Sequence, residues 1–226
     1  MPSVTTIIGQ LEKPQLTKWR ENNCIANSYD NPPREGEDVK SYKNRIHQNL
    51  KDDQGEVLDF GTKIHKAIED VNNGTFDSLK DPEIFPYIDP FIRWKMKRVK
   101  RVNEVEQTVV NVQYGYGGTL DLHCVLLNEK RPVTIIDYKT QNIKDKVKFY
   151  PEWSYQLAAY RKCFKPVPQC MSLVVNSNEP AEVIEKVWTS DELQAGWRIF
   201  KGLCRIWQDK TDHRVTKETD AKEKQD

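Results

Sequence analysis

The sequence predicts an α/β fold in which a mixed central β-sheet is flanked by helices. Three observations support this prediction. Helical apolar patterns occupy the first part of the chain, and strand-like segments joined by short polar turns follow, which makes those strands antiparallel. A helical segment then links two further apolar segments, and such a strand–helix–strand connection places its two strands parallel. One sheet with both kinds of pairing indicates a single α/β domain, expected over residues 1–209.

The N-terminal part is predicted to be helical after a short extended segment at residues 3–8. A helix is expected over residues 14–22, because it begins with a proline, which the first helical position tolerates. From Phe60 onward an apolar residue recurs at every fourth position, so another helix is expected up to the Asn-Gly pair at 73–74. Between these helices, residues 27–59 are polar and contain several Pro and Gly, which predicts a mobile insertion with one helix around residues 41–50.

The remaining elements follow from changes in the apolar period and from capping residues. In chain order we expect a helix at residues 87–102, a strand from Glu104, strands at 119–127 and 133–139, a helix at 152–164, strands at 170–176 and 182–188, and a last helix after Thr189. The first of these helices carries a stripe that indicates a buried face, made of Ile88, Ile92, Met96 and Val99. Thr189 and Glu192 form a capping box. Residues 210–226 are charged and are expected to be a disordered tail.

Composition excludes several classes of protein. The chain has 226 residues, a net charge of +1, 31% charged and 37% hydrophobic residues, which suits a folded, water-exposed domain. It contains no run of about 18 apolar residues and no secretory leader, so neither a membrane partner nor export is expected. Its five cysteines are scattered, which predicts a reducing compartment rather than a disulfide framework or a zinc ribbon.

Two aspartates and a lysine form the strongest candidate for a chemical site. Asp137 and Lys139 are two residues apart on a predicted strand, so they project from the same face. Asp121, on the preceding strand, and Asp137 are equally distant from Glu129, so a hairpin centred there places the two carboxylates nearly opposite. Opposed carboxylates repel, and a divalent cation such as Mg²⁺ or Mn²⁺ removes this conflict. Lys139 can then orient or deprotonate a water, or stabilise charge on a phosphate.

Two predicted helices add polar side chains that are four residues apart and therefore share a face. The pairs are His65 with Glu69, and Gln156 with Tyr160. The second helix follows the strand that carries Asp137, so its N-terminal half is expected near the end of that strand. Taken alone, these residues are equally typical of an ordinary helix surface, and a D-x-K motif alone is usually an exposed ion pair.

Together the motifs resemble a known family. They are F-G-T-K-I-H ending at His65, G-T-L-D ending at Asp121, I-I-D-Y-K-T with Asp137 and Lys139, and Q-L-A-A-Y from Gln156 to Tyr160. In this order they resemble the RecB-like branch of the PD-(D/E)xK nucleases. The segment that begins at Ser3 also resembles the start of phage exonucleases and of the mitochondrial genome maintenance exonuclease. Four ordered motifs over residues 3–209 are far more specific than D-x-K alone.

The resemblance implies a restriction-endonuclease-like core and a role for each motif residue. The implied metal ligands are Asp121, Asp137, His65 and the Tyr138 carbonyl, with Glu69 as a further candidate, and the other implied catalytic residues are Lys139, Gln156 and Tyr160. Lys139 would position the attacking water, Gln156 would support the motif, and Tyr160 would pack nearby or touch the nucleic acid. Leu120 stands where the family name has proline, and Asp137 replaces the longer glutamate. Both departures are familiar in the RecB-like branch.

Basic residues are candidates for contacts to DNA phosphates. Residues 93–101 include six basic residues, and on one helix Arg93, Lys97 and Lys100 lie opposite the apolar stripe, followed by Arg101. A second group, Lys144, Lys146 and Lys148, follows the strand of Asp137. A solvated helix face is the ordinary interpretation of such a run, but in a nuclease it serves as a phosphate track. The net charge of +1 is then a cancellation between basic and acidic regions and does not count against DNA.

The implied activity is a Mg²⁺- or Mn²⁺-dependent exonuclease that hydrolyses DNA, with single-stranded DNA or a free end as its partner and residues 27–59 as a lid. The cytoplasm of a bacterium or of a phage-infected cell is the expected location. An endonuclease, a duplex-resecting exonuclease and an RNA-directed enzyme remain alternatives with the same chemistry. An inactive DNA-binding or recombination-accessory module is a further one, which the intact motif residues disfavour. An iron–sulfur cluster is not expected, because it needs three closely spaced cysteines near the C-terminus.

Overall fold

The protein is a mixed α/β structure built on a five-stranded sheet. It is described by a computed structural model that covers residues 1–12 and 14–213. The helices are α1 (Val4–Ile8), α2 (Pro14–Asp30), α3 (Val39–Asn73), α4 (Phe85–Arg98), α5 (Pro151–Arg161) and α6 (Ser190–Thr211). The strands are β1 (Val99–Asn111), β2 (Tyr116–Leu126), β3 (Val133–Gln141), β4 (Gln169–Asn176) and β5 (Ile184–Val187). Among the described helices, none is long and apolar enough to cross a membrane.

The sheet combines antiparallel and parallel pairing as predicted. Its strands lie in the order β1-β2-β3-β4-β5. The first three strands are antiparallel neighbours, because short turns connect them. β3 and β4 are parallel and are joined through α5, and β5 returns antiparallel to β4. The mixed central sheet that the sequence predicts is therefore confirmed.

The chain divides into two compact units. The first comprises Met1–Gln10 and the chain from Ala67 onward, and it contains the whole sheet together with α1, α4, α5 and α6. The second unit, Leu11–Lys66, contains α2 and most of α3. Within the second unit, Asp38 caps α3 by accepting hydrogen bonds from the backbone N–H groups of Lys40 and Ser41, at 2.8 and 3.1 Å.

Residues 27–59 are more helical than the sequence predicts. Only residues 31–38, around the two consecutive prolines, lie outside α2 and α3. A single helix of 35 residues replaces the predicted pieces at 41–50 and from Phe60. The Lys, Glu, Gln and Leu residues near Gly55 are good helix formers, and they carry the helix across a region whose apolar pattern is weak. α3 ends as predicted at Asn73, because Gly74 adopts a φ of +74°, which glycine accepts without strain.

Two local predictions in the first unit are wrong. The segment predicted as extended at residues 3–8 forms α1, because the Ser3 side chain accepts a hydrogen bond from the Thr6 backbone N–H at 2.9 Å and caps the helix. The helix predicted at 87–102 ends at Arg98, and the β-branched residues from Val99 onward begin β1. Its buried face contains Phe91 and Trp94, whereas Met96 of the predicted stripe is 78% exposed.

Helix α6 closes the first unit against α5. Thr189 and Glu192 form the predicted capping box at its start. Gly196 lets the two helices approach closely, since a Cβ atom there would lie 2.9 Å from the Ser154 carbonyl oxygen. Phe200 packs edge-on against Tyr116 of β2, with ring centroids 4.9 Å apart. The predicted tail at residues 210–226 falls almost wholly outside the described residues, which end at 213.

Candidate active site

Asp121 and Asp137 meet at the point where β2 and β3 separate. The last paired residues of this ladder are Leu122 and Ile136, and the same register continues to Asp121 beside Asp137. The Tyr138 backbone N–H donates a hydrogen bond of 2.6 Å to Asp121 Oδ2 instead of to the neighbouring strand. The hairpin centred on Glu129 therefore has the predicted geometry, and the two carboxylates lie across from each other.

The two carboxylates are held away from water. Asp137 is only 2% exposed, and Asp121 is half-buried as a residue while protein surrounds its carboxyl group. Burial raises the pKa of Asp121, and the negative charge of Asp137 raises it further. The Tyr138 N–H and the charge of Lys139 act in the opposite direction. The positive charge near the two carboxylates is insufficient to balance them. A bound cation would remove this imbalance.

Lys139 lies between Asp137 and helix α5. Its Nζ is 2.7 Å from Asp137 Oδ2 and donates a hydrogen bond of 3.2 Å to Gln156 Oε1. The same ammonium lies 5.8 Å from the centre of the Trp153 ring, within the range of a cation–π contact. The contact with Asp137 is an ion pair without hydrogen-bond geometry, so Asp137 Oδ2 receives no hydrogen bond from any described residue. Lys139 is therefore oriented by Asp137, Gln156 and Trp153. Asp137 Oδ2 keeps a lone pair that no hydrogen bond from the described residues uses.

Tyr160 supports this arrangement from one turn further along α5. It is 3% exposed, and burial raises its pKa, so the phenol stays neutral at physiological pH. Its side-chain hydrogen bond with Gln156 opposes this shift only in part. Gly118 of the G-T-L-D motif leaves the space that Tyr160 fills, since a Cβ atom at residue 118 would lie 2.9 Å from Tyr160 Cε1. The motif glycine and the motif tyrosine thus form one packing unit.

The Tyr138 side chain has a structural role in this geometry. It is 3% exposed, its hydroxyl accepts a hydrogen bond from Asn72 Nδ2 at 3.1 Å, and its ring packs edge-on against Phe91 at 5.6 Å. These contacts fix the backbone whose N–H holds Asp121. The role of the Tyr138 carbonyl as a metal ligand remains a prediction.

The donor set fits a hard divalent cation. Asp121 and Asp137 offer carboxylate oxygens, one of them buried without a hydrogen-bond donor, and Lys139 alone does not neutralise both. Within the described part of the chain, no group of three or more His, Cys, Asp or Glu side chains is arranged to hold a metal. Mg²⁺ is commonly held by only one or two carboxylates, with water and substrate phosphate as its other ligands, so two aspartates suffice.

His65 and Glu69 lie four residues apart on α3, and both are half-buried. His65 belongs to the unit of residues 11–66, whereas Asp121 and Asp137 belong to the other unit. The metal-binding role that the resemblance implies for His65, and the weaker candidacy of Glu69, remain predictions.

The basic stretch at residues 93–101 does not form one continuous helical surface. α4 ends at Arg98, so Lys100 and Arg101 lie on β1. Arg93 is ion-paired with Asp89 and, at 3.0 Å, with Glu182. Trp94, which lies within this stretch, is buried and is not part of the exposed basic surface. All the candidate phosphate-binding residues are exposed, but Arg93 is engaged in these ion pairs. The other exposed candidates are Lys97, Lys100, Arg101, Lys144, Lys146 and Lys148.

Glu106 is a neighbour of the site that the sequence reasoning missed. The pairs Val105–Leu122 and Gln107–Leu120 place it directly across from Asp121. Its φ of +50° is unusual for a non-glycine residue in a strand, and such conformations cluster at functional sites. Its charge adds to the rise in the pKa of Asp121. Extending the register outward from the glycine-rich turn between β1 and β2 would have found it.

Replacing Asp121 with Asn is expected to stabilise the metal-free protein at neutral and higher pH. Because the folded-state pKa is raised, the contribution of Asp121 to stability is intact below the unfolded-state pKa of about 4 and is lost as the pH rises through the folded-state value. The variant has no carboxyl group at this position, so its stability does not fall in this way as the pH rises. The Tm of the variant should therefore exceed that of wild type by an amount that grows between pH 5 and pH 8, to roughly 2–6 °C.

Thermal unfolding in EDTA at several pH values measures this advantage. Asp209→Asn, which removes an exposed carboxylate from α6, serves as the control and should show no growth with pH. An Asp121→Asn variant whose Tm difference is flat or falls with pH would contradict the raised pKa.

Comparisons with known proteins identify no family. No family model matches the sequence, and no curated protein sequence matches it significantly. Among solved structures, the crystal structure of a candidate exonuclease from Eubacterium rectale is similar, with a TM-score of 0.48, 12% sequence identity and 69% of each chain covered.

Proposed function

We propose that the protein is a metal-dependent nuclease of the RecB-like PD-(D/E)xK type that hydrolyses phosphodiester bonds in DNA. One observation carries this proposal: Asp121 and Asp137 lie opposite each other at the separating ends of two strands, with the Lys139 ammonium against Asp137. Two carboxylates with one ammonium suit the binding of a divalent cation and of a phosphate beside it. A purely structural ion pair with Lys139 requires only Asp137, so it does not explain why Asp121 lies beside it.

In this proposal Asp121 and Asp137 hold Mg²⁺ or Mn²⁺, with His65 and the Tyr138 carbonyl as further ligands. Such a cation supplies Lewis acidity toward a phosphate oxygen and lowers the pKa of a bound water. The protein contributes the orientation of Lys139, whose Nζ is held by Gln156 and Asp137. Its remaining N–H groups can donate to the attacking water or to the phosphate oxygen on which charge develops. Tyr160, packed on Gly118, keeps Gln156 in place for this contact.

The proposed substrate is single-stranded DNA with a free end, attacked exonucleolytically. The exposed cations Lys97, Lys100, Lys144 and Lys146 are available to contact its phosphates, and such contacts make binding sensitive to salt. None of these cations distinguishes one base from another, so no strong sequence preference is expected.

The test compares four labelled substrates with and without Mg²⁺: linear single-stranded DNA, closed circular single-stranded DNA, linear duplex DNA and single-stranded RNA. We expect degradation of the linear single strand only when the cation is present, and an intact circle, because an exonuclease needs an end. Cleavage of the circle would replace the exonuclease by an endonuclease. Equal cleavage in excess EDTA would contradict the metal-dependent mechanism, and preference for RNA or for duplex DNA would change the assigned substrate.

A further inference from the structure

A cleft of about 380 Å³ lies between α5 and α6, away from the two aspartates. Successive helical residues are about 100° apart, so Ala158, Arg161 and Lys162 project from the side of α5 opposite Gln156 and Tyr160. The first three line the cleft, whereas the last two contact or support Lys139. The cleft is therefore separated from the candidate active site by the thickness of one helix, roughly 10 Å.

The interior of the cleft is apolar and its rim is cationic. Ala158 and Leu193 are buried in its floor, and Trp197 forms a half-buried wall. Three cations line it: Arg161, Lys162 and Arg198. The acidic residues of the first turn of α6, Asp191 and Glu192, do not line it, and Glu192 is engaged with Lys186 at 2.9 Å.

None of the three cations has a carboxylate partner among the described residues. Arg161 uses its Nε to donate to the Pro168 carbonyl at 2.9 Å, which leaves its terminal nitrogens for another acceptor. Lys162 Nζ lies 5.4 Å from the centre of the Trp197 ring. Three uncompensated positive charges around one cleft repel each other, and an anion between them removes this repulsion.

We propose that this cleft binds one nucleotide unit of single-stranded DNA outside the catalytic centre. Arg161, Lys162 and Arg198 would contact its phosphate, and Trp197 with the apolar floor would contact its sugar or base. The volume falls in the range of small-ligand pockets, about 300–1,000 Å³. The choice of DNA as the ligand rests on the proposed nuclease function, whereas the preference for an anion rests on the cleft alone.

The composition of the cleft favours a nucleotide over an acidic peptide. Two of the three cations are arginines, whose planar guanidinium groups match phosphate oxygens in a bidentate manner. Aromatic side chains beside cations recur in sites for single-stranded nucleic acids. The Trp197 ring already packs against Tyr114 and Phe200, so its exposed part is what a sugar or base would contact. An acidic side chain would use the cations but would make no contact with the apolar floor or with the exposed part of Trp197.

The experiment measures binding of a 20-nucleotide oligo-dT in EDTA, where cleavage does not occur, over a series of salt concentrations. The test variant carries Arg161→Gln, Lys162→Gln and Arg198→Gln. The matched control carries Lys201→Gln, Arg205→Gln and Lys210→Gln, which removes the same charge from exposed positions of α6 outside the cleft. We expect the test variant to bind at least tenfold more weakly, with its log–log salt slope smaller by about 0.7 for each phosphate that the variant no longer neutralises. The control should differ from wild type by much less.

Other outcomes are also decisive. A test variant that binds oligo-dT with the wild-type affinity and salt slope would overturn the proposal. An equal weakening in the control variant would overturn it too, since net charge alone would then explain the effect. Tighter binding of poly-glutamate than of oligo-dT by the wild type, abolished in the test variant, would assign the cleft to an acidic peptide. If the triple variant does not fold, exposed Arg198→Gln alone should reduce the salt slope by about 0.7.

Cleavage of a dinucleotide separates this proposal from the proposed function. A dinucleotide is too short to occupy both places, so its Mg²⁺-dependent cleavage should be equal in wild type and test variant. If the test variant binds oligo-dT more weakly and the wild type cleaves no DNA, the result supports the binding site in the cleft and contradicts the proposed nuclease activity. If the wild type cleaves DNA and the test variant binds oligo-dT as the wild type does, the result supports the nuclease activity and contradicts the binding site in the cleft.

Discussion

Asp137→Asn is expected to lower the Mg²⁺-dependent cleavage of DNA by roughly 10³-fold or more. The substitution keeps the shape of the side chain and removes its charge. Asp137 is 2% exposed, and its Oδ2 receives no hydrogen bond from a described residue, so this oxygen is the one best placed to bind a cation. An amide at the same position is a much weaker ligand, and its NH₂ group faces the Lys139 ammonium unfavourably.

Stability should change far less than activity in this variant. Removal of the ion pair with Lys139 destabilises the folded protein, whereas relief of the repulsion with Asp121 stabilises it. Lys139 also keeps its hydrogen bond to Gln156. Initial rates on end-labelled single-stranded DNA and thermal unfolding are measured on the same preparations, with Asp209→Asn as the control for the removal of a surface carboxylate. An Asp137→Asn variant with wild-type activity would refute the proposed site.

The sheet and its central hairpin were predictable because their determinants are local. A short polar turn and alternating apolar residues define the register of β2 and β3, and that register alone places Asp121 opposite Asp137. The parallel pairing of β3 with β4 follows from the helix between them. In both cases a few neighbouring residues determine the geometry.

The parts that the sequence did not predict depend on competing local preferences or on distant contacts. The Thr and Ile residues of α1 favour a strand, but the Ser3 cap decides for a helix. α3 runs through a segment where Gly55 and many charges weaken the apolar pattern. Near the site, the contact between Gly118 and Tyr160 joins residues that are far apart in the chain, and no spacing rule reveals it.

Glu106 illustrates a further limit of reading motifs. It lies across from Asp121, but it belongs to none of the motifs, and its left-handed backbone conformation has no signal in its residue type. Recognition by motif finds residues that share a pattern, whereas charge at a site depends on every strand that borders it. The third carboxylate near Asp121 is found only when the register of β1 and β2 is extended from the turn that joins them.

Lys139→Met is expected to reduce cleavage by roughly 10²–10⁴-fold while the protein still binds Mn²⁺. Methionine has a similar length and no charge, so it removes the ammonium that Gln156 and Asp137 orient. That ammonium also competes with a cation for Asp137 Oδ2, so its removal leaves this oxygen available. The variant therefore separates the binding of the cation from the chemical step, which Asp137→Asn disrupts together.

Titration calorimetry with Mn²⁺ and single-turnover cleavage rates make this separation measurable. Lys201→Met, an exposed lysine on α6, controls for the removal of one positive charge and should match wild type in both assays. Lys139→Arg should recover part of the rate, because a guanidinium restores the charge near Asp137. Failure of Lys139→Met to bind Mn²⁺, or a wild-type rate in its presence, would contradict the assigned role: in the first case Lys139 would shape the carboxylate pair, and in the second it would not take part in the reaction.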